Sequence, residues 1–116
     1  MKLTIVLNGG LKSCCSTYPS EYVYEIVKQW MDGICDVAVI DAEKESWNPD
    51  ELAFLSIKYF DQQSYPFIYI DDLLMDVGRV PPKEELIAML SKEPRRGITR
   101  HDLEDVAKRY GKIKGQ

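Results

Sequence analysis

The sequence predicts an α/β sandwich of three layers, built in the order βαβαββα with one extra C-terminal helix. Three observations predict it. The first half alternates β-branched runs with helical patterns, which demands a parallel crossover. Two short apolar runs around Asp71-Asp72 then read as a hairpin. A helical pattern opened by Pro81-Pro82 follows them. At 116 residues, 45% hydrophobic and 29% charged, the chain suits one globular domain with a core that needs no staples.

Each element follows from its residues. Leu3, Ile5 and Leu7 alternate with Lys2, Thr4 and Val6, so 2–7 is a strand. Asn8-Gly9-Gly10 ends it and opens a loop to about Pro19. From Ser20, the pairs Tyr22/Val23, Ile26/Val27 and Trp30/Met31 recur every four residues on one helix face, and Gly33 stops the helix. The run from Cys35 to Ile40 is mostly apolar, as expected of a strand buried on both faces. A polar loop from Asp41 to Trp47 leads to Asn48-Pro49-Asp50-Glu51, with Asn48 as expected cap, of a helix ending near Phe60. Ser64-Tyr65-Pro66 precedes the hairpin strands 67–70 and 73–77, and Gly78 breaks the second. The next helix, 83–91, puts Leu86, Ile87 and Leu90 on one face. Residues 1–92 thus form the domain, and 93–116 a linker and helical extension. Thr99 caps a last helix, 100–110, striped by Leu103, Val106, Ala107 and Tyr110, a stripe read as core packing or a homodimer contact. The combination of a βαβ half with a hairpin and closing helix is thioredoxin-like.

Composition removes several functions. The net charge of −4 argues against nucleic acid as main partner, because phosphate binding needs concentrated positive charge. The late basic residues, Lys92, Arg95, Arg96, Arg100, Lys108, Arg109, Lys112 and Lys114, read as a solvated tail. The N-terminal apolar run is too short for a signal peptide, and no stretch approaches a membrane span, so a cytoplasmic protein is expected. Three cysteines, an odd number, are then expected as thiols.

The chemistry centres on Cys14 and Cys15, the candidate catalytic and metal-binding residues. Their loop lies at the carboxyl end of the first strand, where open α/β sheets bind ligands. A following helix N-terminus favours thiolate over thiol. Ser13, Ser16 and Thr17 stand beside the pair as small polar donors. Neighbouring cysteines close only a strained ring, unlike a C-x-x-C pair, so the spacing suits soft thiophilic ions, or one thiol forming mixed disulfides. Cys35 starts the second strand, a helix length away, and reads as core. Pro66 stands where a cis proline would lie beside the thiol loop, with Tyr65 close by. His101 reads as a surface residue and Asp71/Asp72 as a turn.

Two segments carry a resemblance. Cys14-Cys15-Ser16-Thr17 resembles the vicinal-cysteine segment of the ArsD family of arsenical-resistance repressors and metallochaperones. The run Pro66-Phe67-Ile68-Tyr69-Ile70-Asp71, with Gly78-Arg79, Pro81 and Glu85-Leu86, is similar to that family's closing hairpin and helix. The resemblance covers residues 1–91. It implies binding of As(III) or Sb(III), with transfer to an efflux ATPase. The first two ligands fall on Cys14 and Cys15; the third falls on Ser20, which has no thiol. A second resemblance, to YuzD-type disulfide oxidoreductases, rests on Tyr65-Pro66 and the hairpin ending at Gly78; those proteins carry a C-x-x-C pair that this chain lacks. Three functions are therefore expected in this order: a metalloid- or soft-metal-binding protein, a thiol-disulfide oxidoreductase or redox protein with one nucleophilic cysteine and a thiol partner protein, and a thioredoxin-fold adaptor without chemistry.

Overall fold

A computed structural model describes residues 1–12, 15–92 and 96–111. Ser13 and Cys14 lie outside the described residues, as do 93–95 and 112–116. The chain forms a mixed α/β structure around a four-stranded sheet. Strand β1 (Lys2–Leu7) leads into two very short strands, β2 (Leu11–Lys12) and β3 (Thr17–Tyr18), then helix α1 (Ser20–Trp30). Next come β4 (Asp36–Asp41), α2 (Glu51–Phe60), a 3-10 turn (Asp61–Ser64), β5 (Phe67–Ile70) and β6 (Leu73–Val77). Helices α3 (Lys83–Ser91) and α4 (Arg100–Arg109) follow.

The sheet order is β4-β1-β5-β6. Strands β1 and β4 are parallel, as a β1-α1-β4 crossover requires, while β5 and β6 run antiparallel. Alternation along β1 divides the core. Leu3, Ile5 and Leu7 face α1 and α3, where Val23, Val27, Met31, Leu86 and Leu90 meet Ile68 and Ile70. Val6 faces the other way and packs with Ala53 of α2, Phe67 and Leu74. Each such valine, leucine, isoleucine, methionine or phenylalanine, when fully buried, stabilises the fold by about 1.5–3 kcal/mol. The two tryptophans divide likewise: Trp30 packs against the α1/α3 layer and Trp47 against the α2 layer. Helix α4 lies on the α2 side with Leu103 and Ala107 buried, under a Thr99/Asp102 capping box.

Several expectations are corrected. Strand β4 is an edge strand, half-buried rather than enclosed on both faces, because only β1 pairs with it among the described residues. The cap of α2 is Asp50, not Asn48: the Asp50 carboxylate accepts from Ala53 N–H at 2.9 Å. The segment after Gly10 holds the β2–β3 pair, with Leu11 opposite Tyr18 and Lys12 opposite Thr17, rather than an open loop. Tyr110 is 72% exposed and adds nothing to the core. No helix among the described residues is long and apolar enough to cross a membrane.

Candidate functional site

A small hairpin, β2 paired with β3, follows the carboxyl end of β1, and Cys15 lies between its two strands in the chain. Gly9 (φ 79) and Gly10 (φ 81) start it in left-handed conformations. A Cβ on Gly10 would stand 2.5 Å from the Tyr18 carbonyl oxygen, so only glycine lets β2 and β3 close. Four residues, 13–16, join the two strands. Cys15, Ser16 and Thr17 are all exposed there.

A carboxylate beneath the hairpin holds its base. Asp41, the last residue of β4, is only 4% exposed. One of its oxygens accepts from Gly9 N–H at 2.9 Å and Glu43 N–H at 3.0 Å. The other accepts from Gly10 N–H at 2.9 Å and from the Ser20 hydroxyl. Burial would raise its pKa, but the Ser20, Gly9, Glu43 and Gly10 donors outweigh burial and hold it at about 2. At the first residue of α1, Ser20, the Asp41 carboxylate places a negative charge near the helix N-terminus. Ser20, the third-ligand position of the family resemblance, is buried with its hydroxyl committed to Asp41.

Opposite the hairpin stands the Tyr65–Pro66 peptide, which is cis. Gly78 N–H donates to both Ser64 and Pro66 carbonyls, at 3.0 and 2.9 Å, and so fastens this loop to the end of β6. The Tyr65 ring meets Trp47 and Phe67 edge-on at 6.1 and 5.1 Å between centroids, and burial pushes its phenol up. Between hairpin and proline loop runs a cleft of about 340 Å³, lined by Asn8, Lys12, Tyr18, Tyr65, Pro66 and Arg79 among others. Lys12 and Tyr18, one from each hairpin strand, line this cleft together with Tyr65 and Pro66. Cys15 itself is not among the cleft-lining residues. Arg79 is fixed by Asp76 at 3.1 Å and by Glu85 of α3. Asn8 donates to Gln62 at 2.7 Å and ties the end of β1 to the 3-10 turn.

The remaining candidates lie elsewhere. Cys35 precedes β4, a six-residue strand or roughly 20 Å from the hairpin end, and burial pushes its thiol up. Asp71 sits in the β5–β6 turn with φ 53 and accepts from Lys2 N–H at 3.0 Å, at the far end of the sheet. His101 is exposed. On α4, Arg100 pairs with Glu104 and Arg109 with Asp105, at 3.3 and 3.1 Å, so much of its basic charge is answered in place. Among the described residues no three His, Cys, Asp or Glu side chains cluster as metal ligands. Sequence reading missed Asp41 and Gln62 and named Arg79 only within the family resemblance; an aspartate ending an apolar strand was the one available signal, for Asp41. No family model, curated protein or solved structure matches the chain.

Proposed function

We propose that the chain is a thioredoxin-like protein that captures a soft metalloid or metal ion, As(III) or Sb(III) foremost, on Cys14 and Cys15. The observation that carries this reading is exposed Cys15 on a hairpin clamped by Asp41, whose residues Lys12 and Tyr18 line a cleft with Tyr65 and Pro66. The strand order β4-β1-β5-β6, with β5 antiparallel and helices on both faces, supports the thioredoxin-like part.

The chemistry is a ligand exchange without change of oxidation state. Each thiol displaces one hydroxide of As(OH)3, its proton leaving with that hydroxide as water. Two As–S bonds form and two As–O bonds break. The third position keeps its hydroxide, because Ser20 offers no sulfur and its oxygen is engaged by Asp41. That open position is where a thiol of an acceptor, such as an efflux ATPase, would begin to draw the ion away.

Native mass spectrometry of the reduced protein with arsenite tests the reading. One adduct per chain, lost in Cys14→Ser/Cys15→Ser, supports it; no adduct at several equivalents of arsenite refutes it. Exposure of Cys15 beside the cleft favours one second reading, thiol-disulfide exchange with a single nucleophile. A reactive thiol in a chain that takes no arsenite would select that reading, and partner binding unchanged by the double serine variant would select an adaptor.

A further inference from the structure

The sheet has two edges, and the fold treats them differently. At the β6 edge, Ile98 N–H donates to the Leu74 carbonyl at 2.7 Å, so the chain before α4 covers that strand. At the other edge β4 has β1 as its single partner among the described residues. Even-numbered residues serve that ladder: Asp36 N–H reaches the Met1 carbonyl and Ala42 N–H that of Leu7. The pleat therefore turns the N–H and C=O of Val37 and Val39 outward. The strand, Asp-Val-Ala-Val-Ile-Asp, pairs without a bulge and has no proline or lysine, the usual guards of an edge.

We propose that a second copy of this chain covers the edge, its β4 antiparallel to the first about a two-fold axis at Ala38. The two sheets then run on as one of eight strands. Alternation selects the register. Outward groups belong to odd-numbered residues, so Val37 pairs with Val39 of the second copy. A slip that set Asp36 against Asp41 would break this alternation and oppose like charges. The axis also puts alanine, the smallest side chain of the strand, at the closest approach.

Charge on the neighbouring helix agrees with this axis. Tyr24 of α1 lines the same surface depression as Ala38, and so does Lys28 one turn on. Glu21 lies about one turn before Tyr24, on an exposed side chain that pairs with Lys44 of its own chain at 3.0 Å. An axis passing Ala38 and Tyr24 turns Glu21 of each copy toward Lys28 of the other. It also sets Cys35 of the second copy opposite Asp41, the residue that holds the thiol hairpin. The pairing stands whether or not the thiols take a metalloid.

Sedimentation equilibrium of the full reduced chain is the test. A dimer is expected at concentrations up to about 100 μM, and Val39→Pro, which removes an outward N–H and spares the β1 ladder, is expected to weaken it on the order of 30-fold through two symmetry-related lost bonds. Should Val39→Pro fail to fold by circular dichroism, a second variant decides. In a Cys14→Ser/Cys15→Ser/Cys35→Ser background, Ala38→Cys is expected to lock into a covalent dimer on mild oxidation, and Phe54→Cys, exposed on α2, is not. A native chain that stays monomeric overturns the pairing. So does a dimer, for example one through α4, that Ala38→Cys fails to lock.

Discussion

Replacing Asp41 by asparagine tests the clamp under the hairpin. The native carboxylate receives two donors on each oxygen: Gly9 and Glu43 on one, Gly10 and Ser20 on the other. An asparagine keeps one acceptor oxygen and puts an amide NH2 where the second stood. The Ser20 hydroxyl rotates to accept from that NH2, but the Gly10 N–H then faces a donor and stays unpaired. A buried unpaired N–H costs about 1–3 kcal/mol. An independent route gives a similar figure: holding the group at about 2, against its usual 3.8, corresponds to about 2 kcal/mol at neutral pH. For a domain of this size that is a fall in Tm of roughly 10 °C. The sign with pH follows from the lowered value. Asp41 contributes its full stability above about pH 4, and the contribution fades as the pH falls through 2. Paired thermal melts of native and Asp41→Asn protein should therefore differ by about 2 kcal/mol near pH 7 and converge near pH 2. A difference that is negligible near pH 7, or equally large near pH 2, would refute the clamp.

Other expectations concern neighbouring groups. Gly10→Ala places a Cβ against the Tyr18 carbonyl at 2.5 Å in a left-handed backbone, and should cost more than about 2 kcal/mol in denaturant titration. Asp50→Ala removes the α2 cap and the acceptor of the Tyr69 hydroxyl at 3.1 Å; a loss of about 1–2 kcal/mol is expected in the same assay. Cys35, half-buried with its thiol pushed up by burial, should react with iodoacetamide more slowly than exposed Cys15, read by peptide mass spectrometry; a faster Cys35 would contradict its placement. Cys35→Ser should leave the arsenite adduct of the reduced chain unchanged if Cys14 and Cys15 are the ligands.

The long periodic segments were legible in the sequence for a physical reason. Val23 and Val27 repeat at helical spacing, and Leu3, Ile5 and Leu7 at strand spacing, because each set lines one buried face. Strand β4 was legible as a strand but not as an edge: Val-Ala-Val-Ile reads alike wherever topology places it, and only pairing decides how many neighbours it has. The β2–β3 hairpin was invisible because two-residue strands carry no period. At the start of α2 two capping types, Asn48 and Asp50, stand within three residues, and the choice falls on whichever side chain reaches Ala53 N–H. Asp41 read as the first residue of a polar loop; its role depends on Gly9, Gly10 and Ser20, which lie 21 to 32 positions away in the chain. Contacts at that distance leave no local pattern.

The division of the two tryptophans between the layers has a practical consequence. Trp30 emits from the α1/α3 side of the sheet, and Trp47, 5.4 Å from the Phe67 ring, from the α2 side. Each face thus carries its own fluorophore, with four strands between them. Trp30→Phe and Trp47→Phe variants turn ordinary emission into a side-resolved record of melting. Transitions that coincide describe one cooperative unit; a Trp47 signal that gives way first would mean that the layer bearing α2 and α4 peels from a sheet still backed by α1 and α3.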